Sequence, residues 1–284
     1  MASLAPSSDR AFMRRALSLA ERGWGRVHPN PLVGAVVVRD GDVVGEGFHG
    51  EFGGPHAEVV ALRAAGELAR GATLYVTLEP CNHFGKTPPC TDAIVASGVA
   101  RVVIAAEDPH PVARGGAERL RAAGIEVEIG VERDAARALN AAFFHAVERG
   151  TPFVALKYAL SLDGRLSSRR GRPTAVTGNE ARAEAHRLRA GFDAILVGIG
   201  TILADDPLLT VRGAVAPRVP PVRVVLDSDA RLPLESRLVD TVGEAPVWVV
   251  CAADAPAERR AALEARGVRT LAVPRVGRHI DLDA

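Results

Sequence analysis

Three short segments that carry one histidine, two cysteines and two glutamates constrain this chain more than any other feature of its sequence. They are His56-Ala57-Glu58, Glu79-Pro80-Cys81 and Pro88-Pro89-Cys90. The patterning predicts a helix over residues 56–68, a buried strand over 73–78 that ends at the second segment, and a helix over 90–97. Because helix N-termini meet the carboxyl ends of strands at one edge of an open α/β sheet, we expect the three segments to converge there.

The donor set of these segments is typical of a catalytic zinc ion. One imidazole and two thiolates, from His56, Cys81 and Cys90, leave the fourth tetrahedral position open, whereas a structural site is closed by a fourth ligand. His83 is the nearest candidate for that fourth ligand, so a closed structural site is the alternative. An open zinc ion lowers the pKa of a bound water toward neutrality. Glu58 would then move protons, as the non-ligand glutamate does in the zinc deaminases of nucleobases.

The length and patterning of the chain predict two α/β domains. Its 284 residues are enough for two cores. Helical and strand-like segments alternate up to about residue 148, and the pattern restarts after Gly150-Thr151-Pro152. We therefore expect domains at 1–148 and 151–284. The second should contain strands at 153–158, 192–197, 222–226 and 247–251 and helices at 179–190 and 256–266.

Charge and composition exclude several classes of partner. Thirty-five basic residues are balanced by thirty-four acidic ones, and only 4% of residues are aromatic. This composition disfavours a nucleic-acid partner, which requires positive charge along the phosphate backbone and aromatic rings that stack on bases. No apolar stretch reaches the length of a membrane span, and the first residues lack a hydrophobic signal region. Three cysteines do not form a disulfide framework. We expect a cytoplasmic protein that acts on a small molecule. A homo-oligomer is compatible with the sequence, which does not fix the oligomeric state.

The spacing of the two cysteines is distinctive. Generic nucleobase deaminases space them Cys-x-x-Cys, whereas eight residues separate Cys81 from Cys90 here. This spacing, with the intervening Asn-His-Phe-Gly-Lys-Thr-Pro-Pro, resembles the bifunctional riboflavin biosynthesis deaminase/reductase family. The resemblance extends to His28-Pro29-Asn30-Pro31, Gly47-Phe48-His49 and Lys157-Tyr158-Ala159, and to the run from Thr201 to Arg212. It implies a cytidine-deaminase-like three-layer α/β/α domain followed by a dihydrofolate-reductase-like α/β domain.

For the first domain, the resemblance implies zinc-dependent hydrolytic deamination of 2,5-diamino-6-(5-phosphoribosylamino)pyrimidin-4(3H)-one. His56, Cys81 and Cys90 would hold the metal, and Glu58 would be the proton carrier. Asn30 would read the pyrimidine edge, because an amide both donates and accepts, although a turn residue between two prolines is an equal alternative. The expected contacts to the phosphate or the ribose are His49, His83 and Lys86. Without the resemblance, Lys86 is equally well explained as a charged side chain in solvent.

For the second domain, the resemblance implies reduction of the ribosyl group to ribityl by NADPH. The expected NADPH contacts are Ala159, Ala175, Thr201, Asp205 and Ser228. The expected substrate contacts are Pro173, Arg189, Leu209 and Arg212, the two arginines being suited to a phosphate. Family members continue beyond the position of Ala284, so this domain is expected to be truncated at its C-terminus and its activity reduced.

Two further hypotheses remain beside this one. The chain would be a deaminase with a degenerate reductase half, or a zinc-stabilised binding module without turnover. Glu58 distinguishes an enzyme from a binding module, because a structural zinc site has no use for that carboxylate.

Overall fold

The structure, a computed structural model, describes residues 6–85, 88–167 and 174–282. The chain divides into two compact units at Ala155–Leu156, close to the restart of the sequence pattern. The first unit has five strands among its described residues: β1 (Gly34–Arg39), β2 (Asp42–Phe48), β3 (Thr73–Leu78), β4 (Arg101–Ala106) and β5 (Glu126–Ile129). They form one sheet in the order β2-β1-β3-β4-β5.

Strand direction in this sheet follows from the length of the connections. Asp40 and Gly41 both have positive φ, the conformation of a two-residue hairpin turn, and they join β1 to an antiparallel β2. β3, β4 and β5 are parallel neighbours that need helical crossovers. The carboxyl ends of β3 and β4 therefore lie at the same edge of the sheet.

Helices cover both faces of this sheet. They are α1 (Pro6–Ala20), α2 (Ala57–Ala65), α3 (Cys90–Ser97), α4 (Gly116–Ala122), α5 (Arg133–Leu139) and α6 (Ala141–Arg149). One core cluster joins the sheet to α2, α3 and α4, and another joins it to α1, α5 and α6. β1 and β3 are buried along almost their whole length because both faces are covered. The three-layer α/β/α arrangement is confirmed.

A buried polar triad fixes α1 against this sheet. The fully buried Tyr75 hydroxyl on β3 donates to Asp9 Oδ1 over 2.6 Å, and Arg101 on β4 makes two hydrogen bonds to the same carboxylate. Burial raises the Asp9 pKa, but the bonds from Arg101 and Tyr75 and the charge of Arg101 outweigh it, and the pKa is lowered overall.

The second unit is a parallel sheet flanked by helices. Its strands are β6 (Ala194–Gly198), β7 (Val222–Leu226), β8 (Val247–Ala252) and β9 (Arg269–Val273), in that order, with a small hairpin of β10 (Arg275–Val276) and β11 (His279–Ile280). Its helices are α7 (Asn179–Arg189), α8 (Ile199–Asp205), α9 (Arg237–Asp240) and α10 (Ala257–Ala265). Cys251 lies buried on β8, as its apolar neighbours predict.

A fully buried arginine ties the loops of the second unit together. Arg223 on β7 donates to the carbonyl oxygens of Leu208, Thr241 and Ala245, and also to the Thr241 hydroxyl. These bonds compensate in part for the removal of the guanidinium from water, while its buried Nε has no hydrogen-bond partner.

The strand predicted over residues 153–158 is wrong. The structure has no strand there, and Val154 and Leu156 are 78% and 85% exposed. Apolar residues favour a strand only where a neighbouring strand supplies hydrogen bonds and a face to pack on, and the described residues supply neither for this segment.

Candidate functional site

The predicted metal ligands converge at the carboxyl edge of the first sheet. Cys81 is the third residue after β3, Cys90 is the first residue of α3, and His56 immediately precedes α2 in an extended conformation. Their ligand atoms all lie within 4.8 Å of one another. His83 is not in this group, so within the described residues the closed four-ligand alternative does not form.

The distances fit a tetrahedral zinc ion. With Zn–N about 2.1 Å and Zn–S about 2.3 Å, ligand atoms of such an ion lie about 3.6 Å apart. His56 Nδ1 is 3.6 Å from Cys81 Sγ and 3.1 Å from Cys90 Sγ. The Cys90 thiol, the His56 ring and the Cys90 backbone N–H stabilise the Cys81 thiolate and lower its pKa to about 4. The hydrogen bond to Cys81 and burial raise the pKa of Cys90 in turn, so the site without a metal ion favours one thiolate, and zinc binding displaces the second thiol proton.

Glu58 lies beside these ligands in the first turn of α2. It is 3% exposed, and burial raises its pKa above the ordinary value of a glutamate. Its Oε2 atom is buried without a hydrogen-bond partner. A buried carboxylate oxygen without a partner is costly, and a group delivered by a metal or a substrate would satisfy it. The residues present therefore fit a zinc ion with an open position.

Asn30 faces the same pocket in a fixed orientation. The carbonyl of Pro55 can only accept, so His49 Nδ1 carries the proton of that 3.1 Å contact and His49 Nε2 is an acceptor. Asn30 Nδ2 donates to Nε2 over 3.1 Å, which turns the Asn30 amide oxygen away from His49. Burial lowers the pKa of His49, and this favours the neutral ring that the arrangement requires.

The pocket around these residues has a volume of about 340 Å³, which suits a small molecule. His83 lines it, and His83 Nδ1 is buried without a partner. Lys86, the fourth predicted contact, lies outside the described residues. Sequence reasoning missed Asp108, His110 and Phe143, which also line the pocket. Asp108 and His110 lie in the loop after β4, where Glu107-Asp108-Pro109 resembles the family but no contact was predicted, and Phe143 lies on α6.

Glu79 is the most informative residue that the sequence reasoning missed. It is buried and accepts backbone N–H groups from Asp108 at 3.2 Å, Gly115 at 3.1 Å and Ala117 at 2.9 Å. A carboxylate at the end of a buried strand, with no basic residue nearby in the sequence, was the available signal. Glu79 ties the zinc-ligand loop to the loop that follows β4.

In the second unit, two predicted cofactor residues follow neighbouring parallel strands. Gly198 at the end of β6 pairs with Leu226 at the end of β7. Thr201 lies in the first turn of α8, directly after β6, and Ser228 follows β7, so the strand ends bring them to one edge. Asp205 ends α8 and is exposed, Ala159 is half-buried and Ala175 is exposed. Pro173 lies outside the described residues.

Two predicted substrate arginines of the second unit meet around a histidine. Arg189 Nη1 donates to the carbonyl of Thr210 over 3.2 Å, and the Arg212 backbone N–H donates to His186 Nδ1 over 3.1 Å. The neutral His186 ring therefore carries its proton on Nε2, which lies 3.5 Å from Arg212 Nη2. Two donors side by side at this exposed position can share one acceptor, such as an anion. Leu209 is buried in the core with φ +52°, so only its main chain is accessible to a ligand.

The order of the first sheet, its three metal ligands and the buried glutamate beside them define a zinc-dependent deaminase of the cytidine-deaminase class. Two family descriptions match the chain: "Cytidine and deoxycytidylate deaminase zinc-binding region" over residues 6–106 and "RibD C-terminal domain" over residues 152–284.

Curated relatives extend the match across both units. Riboflavin biosynthesis protein RibD of Aquifex aeolicus is 49% identical over 93% of this chain and 73% of its own length, and that of Escherichia coli is 46% identical over 96% and 76%. The solved structure of Acinetobacter baumannii RibD matches with a TM-score of 0.82 at 43% identity, covering 96% of this chain and 76% of its own. A deaminase/reductase from Thermotoga maritima matches with a TM-score of 0.80 at 43% identity, covering 93% and 74%.

The chain belongs to the RibD family of riboflavin biosynthesis. It is an enzyme with a zinc-dependent deaminase half and an NADPH-dependent reductase half, and the fold class predicted from the sequence is confirmed. None of the described helices has the length and apolar character that a membrane crossing requires.

Proposed function

We propose that the first unit converts 2,5-diamino-6-(5-phosphoribosylamino)pyrimidin-4(3H)-one and water to 5-amino-6-(5-phosphoribosylamino)uracil and ammonia. The observation that carries this proposal is the buried Glu58, with one unpaired carboxylate oxygen, beside three convergent metal ligands in the wall of a small-molecule pocket. The name of the Thermotoga maritima relative, a diaminohydroxyphosphoribosylaminopyrimidine deaminase, supports the substrate.

Each residue of the pocket has a separate role in this reaction. Held by His56, Cys81 and Cys90, zinc supplies Lewis-acid activation of a water molecule. Glu58 takes a proton from the attacking water, passes it to a ring nitrogen and then helps to protonate the leaving amine. Burial raises the pKa of Glu58 and so makes its protonated form accessible. The oxygen of water ends on C2 of the ring, and the amino group leaves as ammonia.

Substrate recognition in the first unit rests on amide and imidazole groups. Asn30 reads the pyrimidine edge with its amide oxygen and its second N–H, and His49 keeps that amide in one orientation. His83 offers a buried, unpaired ring nitrogen to the ribose or the phosphate. Lys86, three residues after His83 in the sequence, adds a positive charge for the phosphate.

The second unit then reduces the ribosyl group to ribityl with NADPH. Its expected cofactor contacts are Ala159, Ala175, Thr201, Asp205 and Ser228, and its expected substrate contacts are Pro173, Arg189, Leu209 and Arg212. The convergent N–H donors of His186 and Arg212 support a phosphate position there. The boundary between the two activities lies near residue 150.

One assay tests both activities on the same sample. The diamino-pyrimidinone ribosyl phosphate is supplied with and without NADPH, and ammonia release and NADPH oxidation are recorded. Ammonia release in both mixtures and NADPH oxidation in the first are expected. Ammonia without oxidation would leave a deaminase with an inactive reductase half. Neither signal, from folded and zinc-loaded protein, would favour the binding module.

Glu58→Gln tests the proton carrier. We expect zinc content and thermal stability to be retained and the deamination rate to fall by about 10²–10⁴-fold, the usual contribution of a general acid/base. Glu107→Gln is the matched control, because Glu107 is an exposed carboxylate after the neighbouring strand β4. A Glu58→Gln protein that deaminates like the control would refute the role of Glu58.

The cysteines indicate where the enzyme works. Cys81, Cys90 and Cys251 are all free thiols, and two of them serve as metal ligands only while reduced. These thiols favour a cytoplasmic location, and fractionation of the producing cells tests it.

A further inference from the structure

A buried asparagine far along the chain holds the segment that carries Asn30. Asn140 lies between α5 and α6 and is 5% exposed. The Leu32 backbone N–H donates to Asn140 Oδ1 over 2.8 Å, and Asn140 Nδ2 donates to the Leu32 carbonyl over 2.9 Å. A flipped amide would face donor to donor and acceptor to acceptor, so the partners fix its orientation. The side chain acts as a neighbouring strand would, pairing both polar groups of one residue.

Asn140 lies at a helix start, where an asparagine side chain usually caps the helix, so its bonds to Leu32 are unusual. Asparagine before a helix ordinarily caps it by accepting a backbone N–H of the first turn. Asn140 is the residue before α6, yet its side chain makes no such bond. The amide is committed to Leu32 instead.

The segment around Leu32 forms one wall of the deaminase pocket. Asn30, Pro31 and Val33 line the pocket on either side of Leu32 in the sequence. The segment is irregular and is tied to its surroundings by a few bonds, which include Asn30 N–H to the Val27 carbonyl and His49 N–H to the Val33 carbonyl, both 2.9 Å. Between these two backbone bonds, the side chain of Asn140 provides a buried attachment at Leu32. They hold the backbone two residues after Asn30.

We propose that Asn140 is a positioning residue of the deaminase: its amide fixes the Leu32 backbone and thereby the direction in which Asn30 presents its own amide to the pyrimidine. The inference rests on the proposed contact between Asn30 and the base. Asn140 itself does not line the pocket, so it acts through the main chain. A different residue at position 140 alters substrate affinity and leaves the metal ligands in place.

Asn140→Asp separates these effects. Aspartate begins a helix as well as asparagine does, and it still accepts the Leu32 N–H. In its ionised form it cannot donate to the Leu32 carbonyl, and two acceptors then face each other, so the KM is measured as a function of pH and the effect should grow as the carboxyl ionises. We expect the KM for the deaminase substrate to rise about tenfold, with a smaller change in kcat and full zinc content. A KM within twofold of wild type would overturn the proposal.

A double-mutant cycle with Asn30→Ala shows whether Asn140 acts through Asn30. In the Asn140→Asp background, Asn30→Ala should reduce kcat/KM by much less than it does in the wild type. Tyr75→Phe is the matched control: it also removes a buried hydrogen bond of the first unit, on the α1 side of the sheet, and its effect should be additive with Asn30→Ala. Additivity with Asn140→Asp would refute the positioning role.

Hydrogen exchange of the folded wild-type enzyme gives a test that needs no variant. The Leu32 amide should be protected although it lies outside any strand, and rapid exchange would overturn the proposal. If Asn140→Asp does not fold, Asn140→Ser, which is shorter and adds no charge, replaces it in the kinetic test with the same expectation. A wild-type enzyme that releases no ammonia would refute the proposed function, whereas an active enzyme with an unaffected position 140 would refute only this inference.

Discussion

Replacing Gly116 with alanine should weaken zinc binding, although Gly116 is not itself a metal ligand. It is the first residue of α4, and a Cβ atom there would lie 1.9 Å from the carbonyl oxygen of Pro80. Pro80 directly precedes the ligand Cys81. The residues on either side of Gly116 donate their N–H groups to Glu79, so the two loops cannot separate without losing those bonds.

The size of the effect follows from the distances. An ordinary carbon–oxygen contact is about 3.3 Å, so one loop must move by about 1.4 Å. A zinc–ligand distance tolerates about 0.2 Å, so a shift of this size next to Cys81 exceeds the tolerance several times. We expect the unfolding free energy to fall by about 1–3 kcal/mol, as for other overpacked sites, and zinc affinity to fall by about 10–100-fold, as for lost supporting contacts of metal ligands.

Gly34→Ala provides a control of equal severity. A Cβ atom at Gly34 would lie 2.0 Å from the carbonyl oxygen of Ala16, where β1 packs on α1 and no metal ligand is involved. Competition with a chromophoric chelator would measure zinc affinity, and thermal melts of the same samples would measure stability. Both variants should lose stability, and only Gly116→Ala should lose zinc affinity. A Gly116→Ala protein whose zinc affinity equals that of the control would show that the clash with Pro80 does not displace Cys81.

The remaining predictions concern stability and the second unit. Tyr75→Phe removes a buried bond to Asp9 and should lower the unfolding free energy by about 1–2 kcal/mol; an unchanged urea midpoint would contradict it. Because the folded pKa of Asp9 lies below its unfolded value of about 3.9, the ionised carboxylate stabilises the fold above that pH. This stabilisation is lost as the pH falls through the lower folded pKa. The unfolding free energy from urea titrations between pH 7 and 3 should therefore fall less steeply for Asp9→Asn than for wild type. Arg223→Met leaves the carbonyls of Leu208, Thr241 and Ala245 without this partner and should cost about 1–3 kcal/mol, seen by calorimetry as a lower transition of the second unit; an unshifted transition argues against it. His186→Phe removes the ring N–H beside Arg212 and should raise the KM of the reductase substrate but not that of NADPH; equal changes in both would exclude a phosphate contact.

The sequence predicted the elements that position the zinc site because their signals are local. A buried apolar run defines β3, and a proline precedes His56 and Cys90, at Pro55 and Pro89. The same reasoning failed over 153–158, since an apolar segment becomes a strand only when another strand pairs with it. The burial of a strand is predictable from a few consecutive residues, whereas its pairing with another strand depends on the rest of the chain.

The supporting residues of the site were beyond sequence reasoning for a related reason. Glu79 bonds residues 29 to 38 positions away, and Asn140 bonds Leu32 across 108 positions. A single side chain gives no sign of which distant backbone group it will meet. Catalytic and metal-binding residues at short spacing, such as His56 and Glu58, form a recognisable motif. The residues that support them from distant parts of the chain form none.

The separation of 108 residues between Leu32 and Asn140 has a consequence for synthesis on the ribosome. All three predicted zinc ligands have been translated by residue 90, whereas the last attachment of the Asn30 segment awaits residue 140. Domains fold as the chain emerges, N-terminal parts first, and contacts distant in sequence close last. The loop that supports the ligands is complete by residue 117, so the metal site and the base pocket are completed at different lengths of the nascent chain.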